Sequence, residues 1–67
     1  MAEIEDLKAK VKKLSARATT KKMDLHDLSE ELPVNWEKIL EVAQDTYDTY
    51  AALEAARKDL KAAEAAG

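Results

Sequence analysis

Apolar residues recur along this chain every three or four positions, in two runs separated by one break. The first run is Ile4, Leu7, Val11, Leu14, Ala18, Lys21, Leu25, Leu28 and Leu32, a heptad series interrupted by small Ala18 and charged Lys21. The second is Trp36, Ile39 with Leu40, Ala43, Tyr47, Tyr50, Leu53, Arg57 and Leu60. Both runs have the period of one helix face. Between them stands Pro33, the only proline. It lacks a backbone donor and drives Leu32 out of the α region, so a first helix should end there. Asn35 suits the N-cap of a second helix, with Val34 and Ile39 placed for a hydrophobic staple. The pattern predicts a helix over about 3–31, a turn at 32–35 and a helix over about 36–66. The fold class is all-α, a two-helix antiparallel hairpin.

Two stretches are weaker. Thr19 and Thr20 are β-branched and fall mid-helix, where they predict local loosening. Beyond Leu60 the run KAAEAAG has high helix propensity and almost nothing to pack, so its end should fray. Folding at Pro33 sets residues whose numbers sum to about 68 side by side, as in any short-looped helical hairpin. Leu28 then meets Leu40, Leu25 meets Ala43, Ala18 meets Tyr50 and Leu7 meets Leu60, with Lys21 opposite Tyr47 as a polar layer. Small residues oppose large ones, as interdigitating layers require.

Composition narrows the class. A chain of 67 residues with one Gly, no Phe and 37% charged residues is one small domain built of long helices. The absence of Cys removes disulfides, zinc–thiolate sites and iron–sulfur ligation by its own thiolates. No apolar run reaches membrane-spanning length, and MAEIEDLKAK resembles neither a signal nor a transit peptide. A cytoplasmic protein with no membrane role is expected. Two helices facing only each other leave much of their apolar surface wet, so the free hairpin is expected to homodimerise into a four-helix bundle.

Charge sets how two hairpins would pair. Residues 1–23 carry seven basic and three acidic groups, residues 24–50 one basic and eight acidic, and residues 51–67 three of each. The turn end is thus net −7 and the N-terminal segment net +4. An antiparallel pair sets each acidic turn against the other's basic end, which favours that orientation over turn-to-turn packing.

Three groups of side chains bear on function. Met23, His26 and Glu30 lie three and four apart on the outer side and flank of the first helix. Imidazole and carboxylate suit several divalent ions, so His26 and Glu30 are the candidate metal ligands. With no second His or Cys to join them, a solvated helix face is the plainer reading, and no metal or cofactor is expected. Trp36, Tyr47 and Tyr50 fall on the inner stripe, either as large core residues or as contact residues of an interface. The run Lys8, Lys10, Lys12, Lys13, Arg17, Lys21 and Lys22 scatters around its helix without interleaved aromatics, which speaks against nucleic acid. Nucleophile, base and oxyanion donors converge nowhere, and there is no Gly-rich phosphate loop, so no enzymatic activity is expected.

The stretch KKMDLHDLSEELPVNWEKILEVAQDTY resembles the core of a small family encoded in nitrogen-fixation gene clusters and called Rop-like for its helical-hairpin shape. The resemblance spans Lys12 to Leu53. It is carried by MDLHDL, by the corner from Leu32 to Trp36, and by Thr46, Tyr47 and Tyr50. It implies a hairpin that dimerises as a four-helix bundle, and a nitrogenase-associated accessory role. The shape name transfers no RNA-binding function. Two readings follow. The favoured one is a non-catalytic protein that binds a nitrogenase component or a cofactor-assembly protein through Met23, His26, Glu30, Trp36, Tyr47 and Tyr50. The alternative is a small metal-binding or metal-handling protein using His26 and nearby carboxylates.

Overall fold

The computed structural model describes residues 2–66 and consists of two long helices folded back on each other. Helix α1 runs Ala2–Glu31 and helix α2 runs Ile39–Ala66, with a single 3-10 turn at Trp36–Lys38 leading into α2. The hairpin is a rod of 51 × 14 × 12 Å. Its radius of gyration, 15.3 Å, far exceeds the roughly 11 Å of a compact globule of this length. Nearly every residue therefore lies close to solvent.

Glu3 and Glu5 occupy the first turn of α1, where the helix dipole favours negative charge. The loosening expected at Thr19 and Thr20 does not occur. Their hydroxyls donate to the carbonyls of Ser15 (3.1 Å) and Ala16 (3.3 Å), one turn back, and α1 continues unbroken. Helix α2 likewise runs through Ala66, so residues 61–66 of the stretch expected to fray are helical, and Gly67 lies outside the described residues.

At the corner, α1 stops at Glu31, two residues before Pro33, and the Leu32–Pro33 peptide bond is cis. The side-chain cap expected at Asn35 does not form. The residue adopts the left-handed conformation (φ 61°, ψ 26°) and turns the chain with its backbone instead. Val34 N–H donates to Glu31 O and Lys38 N–H to Asn35 O, each at 3.0 Å. Val34 and Ile39 both stay exposed, so no buried staple closes the corner.

The core is thin. Ala18, Leu28, Leu53 and Ala56 are buried, together with Thr49. On α1 the half-buried positions Ile4, Leu7, Val11, Leu14 and Lys21 continue the expected stripe. On α2 the inward stripe is Val42, Thr46, Thr49, Leu53, Ala56, Leu60 and Ala63. That corrects the stripe expected from sequence, which ran through Leu40, Ala43, Tyr47 and Tyr50. The two agree at Leu53 and Leu60 and differ by about one position elsewhere, a rotation of roughly 100°.

The physical reason is the room between the helices. Beside Lys21 the seam takes Thr46 and Thr49, and beside Ala18 it takes Leu53 with Tyr50 at its edge; a tyrosine on the inner line at Lys21 would force the helices apart. The expected register is close to the observed one, because the Thr46 hydroxyl lies 3.4 Å from Lys21 O and 2.8 Å from Val42 O. The polar layer at Lys21 is also present, but its partner is Asp45 at 4.0 Å instead of Tyr47. The Thr49 hydroxyl donates to Asp45 O at 2.8 Å, so its buried oxygen is satisfied within α2.

Candidate functional site

With Val42, Thr46 and Thr49 in the seam, large apolar side chains of α2 and of the turn before it are displaced outward. Leu40 is 82% exposed, Tyr47 72%, Trp36 65% and Tyr50 42%. The two sides of the seam can be told apart from the grooves that run along them. One groove is edged by Ser15, Thr19, Tyr50, Glu54 and Arg57. The other is edged by Arg17, Thr20, Asp45 and Asp48. Positions seven apart share a flank on packed helices. One and two heptads toward the turn, the first flank therefore carries Lys22, His26 and Ser29 on α1 with Leu40, Ala43 and Tyr47 on α2. The second carries Asp24, Asp27 and Glu31 on α1 with Lys38 and Glu41 on α2.

Six of the eight acidic residues in the turn half thus gather on one side. Asp24, Asp27, Glu31, Glu41, Asp45 and Asp48 lie along one long flank, and the opposite flank of the same half is apolar on α2. Sequence zoning located this charge along the chain but could not say that it gathers to one side of the aromatic positions.

Within the apolar flank, Leu40, Ala43, Gln44 and Tyr47 line a shallow depression. Their spacing of i, i+3, i+4, i+7 is that of a hole that receives a side-chain knob from a neighbouring helix. Ala43 forms its floor because it is short, and Leu40 and Tyr47 form its walls. Gln44 is held in place by donating from Nε2 to Asp48 Oδ1 at 2.8 Å. Leu40 and Tyr47 were read from sequence as inward, so this hole was missed. The signal was present as a small residue between two large ones at helical spacing.

The outer groups of α1 lie apart from it. Met23 is half exposed on the outward side. His26 Nε2 lies 3.5 Å from Glu30 Oε1 and its Nδ1 3.8 Å from Asp27 Oδ1, all three being well exposed. The Ser29 hydroxyl donates to His26 O at 2.7 Å. Among the described residues no group of three or more His, Cys, Asp or Glu side chains gathers closely enough to hold a metal ion. Nor, among them, is any helix long and apolar enough to cross a membrane. The structure thus brings Leu40, Ala43 and Tyr47 together, sets Tyr50 one turn along and Trp36 at the corner. Met23 and Glu30 remain on the back of α1.

The sequence model of the Rop-like family matches residues 2–65. A UPF0437 protein of Azorhizobium caulinodans is 63% identical over 65 residues, covering 97% of this chain and 94% of that one. A Frankia alni relative, described as a UPF0437 protein in a nifX–nifW intergenic region, is 55% identical over 42 residues, covering 63% of this chain and 51% of its own length. Among solved structures, an NMR structure of a structural-genomics target superposes with a TM-score of 0.83 at 55% identity, covering 90% of this chain and 84% of that one.

Proposed function

The chain belongs to the Rop-like family, and on that premise we propose that it is a non-catalytic accessory protein of nitrogen fixation that docks on a nitrogenase component or a cofactor-assembly protein. The observation that carries the reading is the nifX–nifW setting of the Frankia relative. The exposed apolar flank of α2 supports it physically. The grooves along the described residues of this thin rod are open and shallow. What it offers is a row of large apolar side chains, Leu40, Tyr47 and Tyr50, with Trp36 at the corner. Tyr and Trp are residue types enriched in binding hot spots. The mode is helix-in-groove recognition, with charged flanks setting the register.

In this reading the free protein is a cytoplasmic, antiparallel homodimer that covers part of the same flank. Dimer and complex then compete, and raising the protein's concentration slows association with the partner. The metal-handling alternative rests on the His26–Glu30 contact, two donors where a structural site takes four. Co-purification from nitrogen-fixing cells tests the proposal. Wild type should recover a nitrogenase-related protein, Tyr47→Ala should lose it, and His26→Ala should keep it. Recovery of nothing with wild type would overturn the proposal; equal recovery with Tyr47→Ala would overturn the face.

A further inference from the structure

We infer that the hole formed by Leu40, Ala43, Gln44 and Tyr47 receives a single apolar side chain from a cationic amphipathic helix, whose Lys or Arg residues lie against Glu41 and Asp48. The inference deepens the docking reading above by naming the chemistry of the partner, and it rests on that reading for its biological setting alone. Three observations lead to it. The hole has the spacing of a knob-receiving site and a short floor, yet it faces away from α1, so nothing in the hairpin fills it. Glu41 and Asp48 each follow one residue after a wall of the hole, Leu40 and Tyr47, so both carboxylates border it on the same side. Asp48 is oriented there by the Gln44 amide, which holds its Oδ1 at 2.8 Å.

Charge then speaks against one occupant, a second copy centred on the hole. A second copy laid antiparallel with its two-fold axis through Ala43 and Gln44 would set Leu40 beside Tyr47 of the other copy. The same register brings Glu41 of each copy near Asp48 of the other, two like-charge pairs at once, which is unfavourable. A helix bearing Lys or Arg at those positions turns both repulsions into attractions. An apolar knob with basic edges therefore fits this site better than a copy of the chain centred on it.

The test uses the purified protein and two synthetic three-heptad peptides with Leu at the a and d positions. One has Lys at e and g, the other Glu, and binding is followed by fluorescence anisotropy. The Lys peptide should bind at least about tenfold more tightly than the Glu peptide, and added salt should weaken it. Ala43→Leu, which raises the floor, and Leu40→Ala, which removes an exposed wall, should each weaken the Lys peptide, with helicity by circular dichroism unchanged. The double variant Glu41→Lys, Asp48→Lys should reverse the peptide preference. Equal binding of the two peptides, or wild-type binding by both hole variants, would overturn the inference. So would a switch from dimer to monomer in the hole variants, whether or not peptide binding falls with it, because it assigns the hole to a second copy whose own basic segment, residues 4–22, supplies the knob. Because only pure components are used, a failure here is separable from a failure of co-purification.

Discussion

Thr49 and Tyr50 are neighbours in the chain with opposite roles. Thr49 is small enough to enter the seam and satisfies its hydroxyl on Asp45 O, whereas Tyr50 is turned outward over Ala18 and Leu53. Size decides which of two adjacent positions faces the other helix, and it also decides which substitutions cost stability. Leu28 and Leu53 are the two buried leucines. Leu28→Ala or Leu53→Ala should cost about 2–5 kcal/mol, measurable by urea denaturation at fixed protein concentration. Tyr47→Ala should change monomer stability by no more than about 0.5 kcal/mol, because its side chain is mostly in water. A large loss for Tyr47→Ala under conditions where the protein is monomeric would contradict its outward placement.

The two helices are held by different means at the corner and at mid-length. The corner depends on one residue, Asn35, at φ 61°. Left-handed backbone costs an ordinary L-residue roughly 1–2 kcal/mol and is easier for Asn and Gly. Asn35→Gly should therefore be neutral or stabilising and Asn35→Ala destabilising by about 1 kcal/mol. For a domain of this size that is roughly 4–8 °C in Tm. At mid-length the layer of Lys21, Asp45, Thr46 and Thr49 interrupts the apolar seam. Thr49→Val keeps the β-branched shape and removes a hydroxyl that bonds only within its own helix. It should raise Tm, since burying a methyl in place of a polar group is favourable when no partner is left unsatisfied. A fall in Tm would mean that the hydroxyl contributes more than its local bond to Asp45.

Taken as a whole, the molecule is a thin rod with an apolar flank, an acidic flank and a basic N-terminal segment. Such a rod buries few side chains by itself, and the proposed antiparallel dimer addresses that shortage. Sedimentation equilibrium at micromolar concentration should give about twice the 7.4 kDa chain mass, with weaker association at high salt. A folded monomer under those conditions would remove the dimer. The gathering of most of these acids on one side alters the reason for expecting antiparallel pairing. Turn-to-turn packing through the apolar flank would not bring Asp24, Asp27 and Asp45 face to face, so the repulsion it meets is reduced to that of Glu41, Asp48 and the acids off the acidic flank, Glu30 and Glu37.

Much of this protein was legible in one dimension. Heptad spacing together with Pro33 specified two helices, their antiparallel order and a register close to the observed one, because backbone period and a missing amide donor are local properties. The Rop-like family was legible too, in MDLHDL, the Leu32–Trp36 corner and the Tyr pair. What the tertiary structure alone decided was the rotation of α2 about its axis. In α2, two adjacent sets of positions each have helical period, one large and aromatic, the other small. Hydrophobicity ranks the large set inside, while the narrow seam at Lys21 takes Thr46 and Thr49, and its width sets the rotation. That width depends on both helices at once. The exposed tyrosines, the empty hole and the clear separation of the two flanks all follow from it.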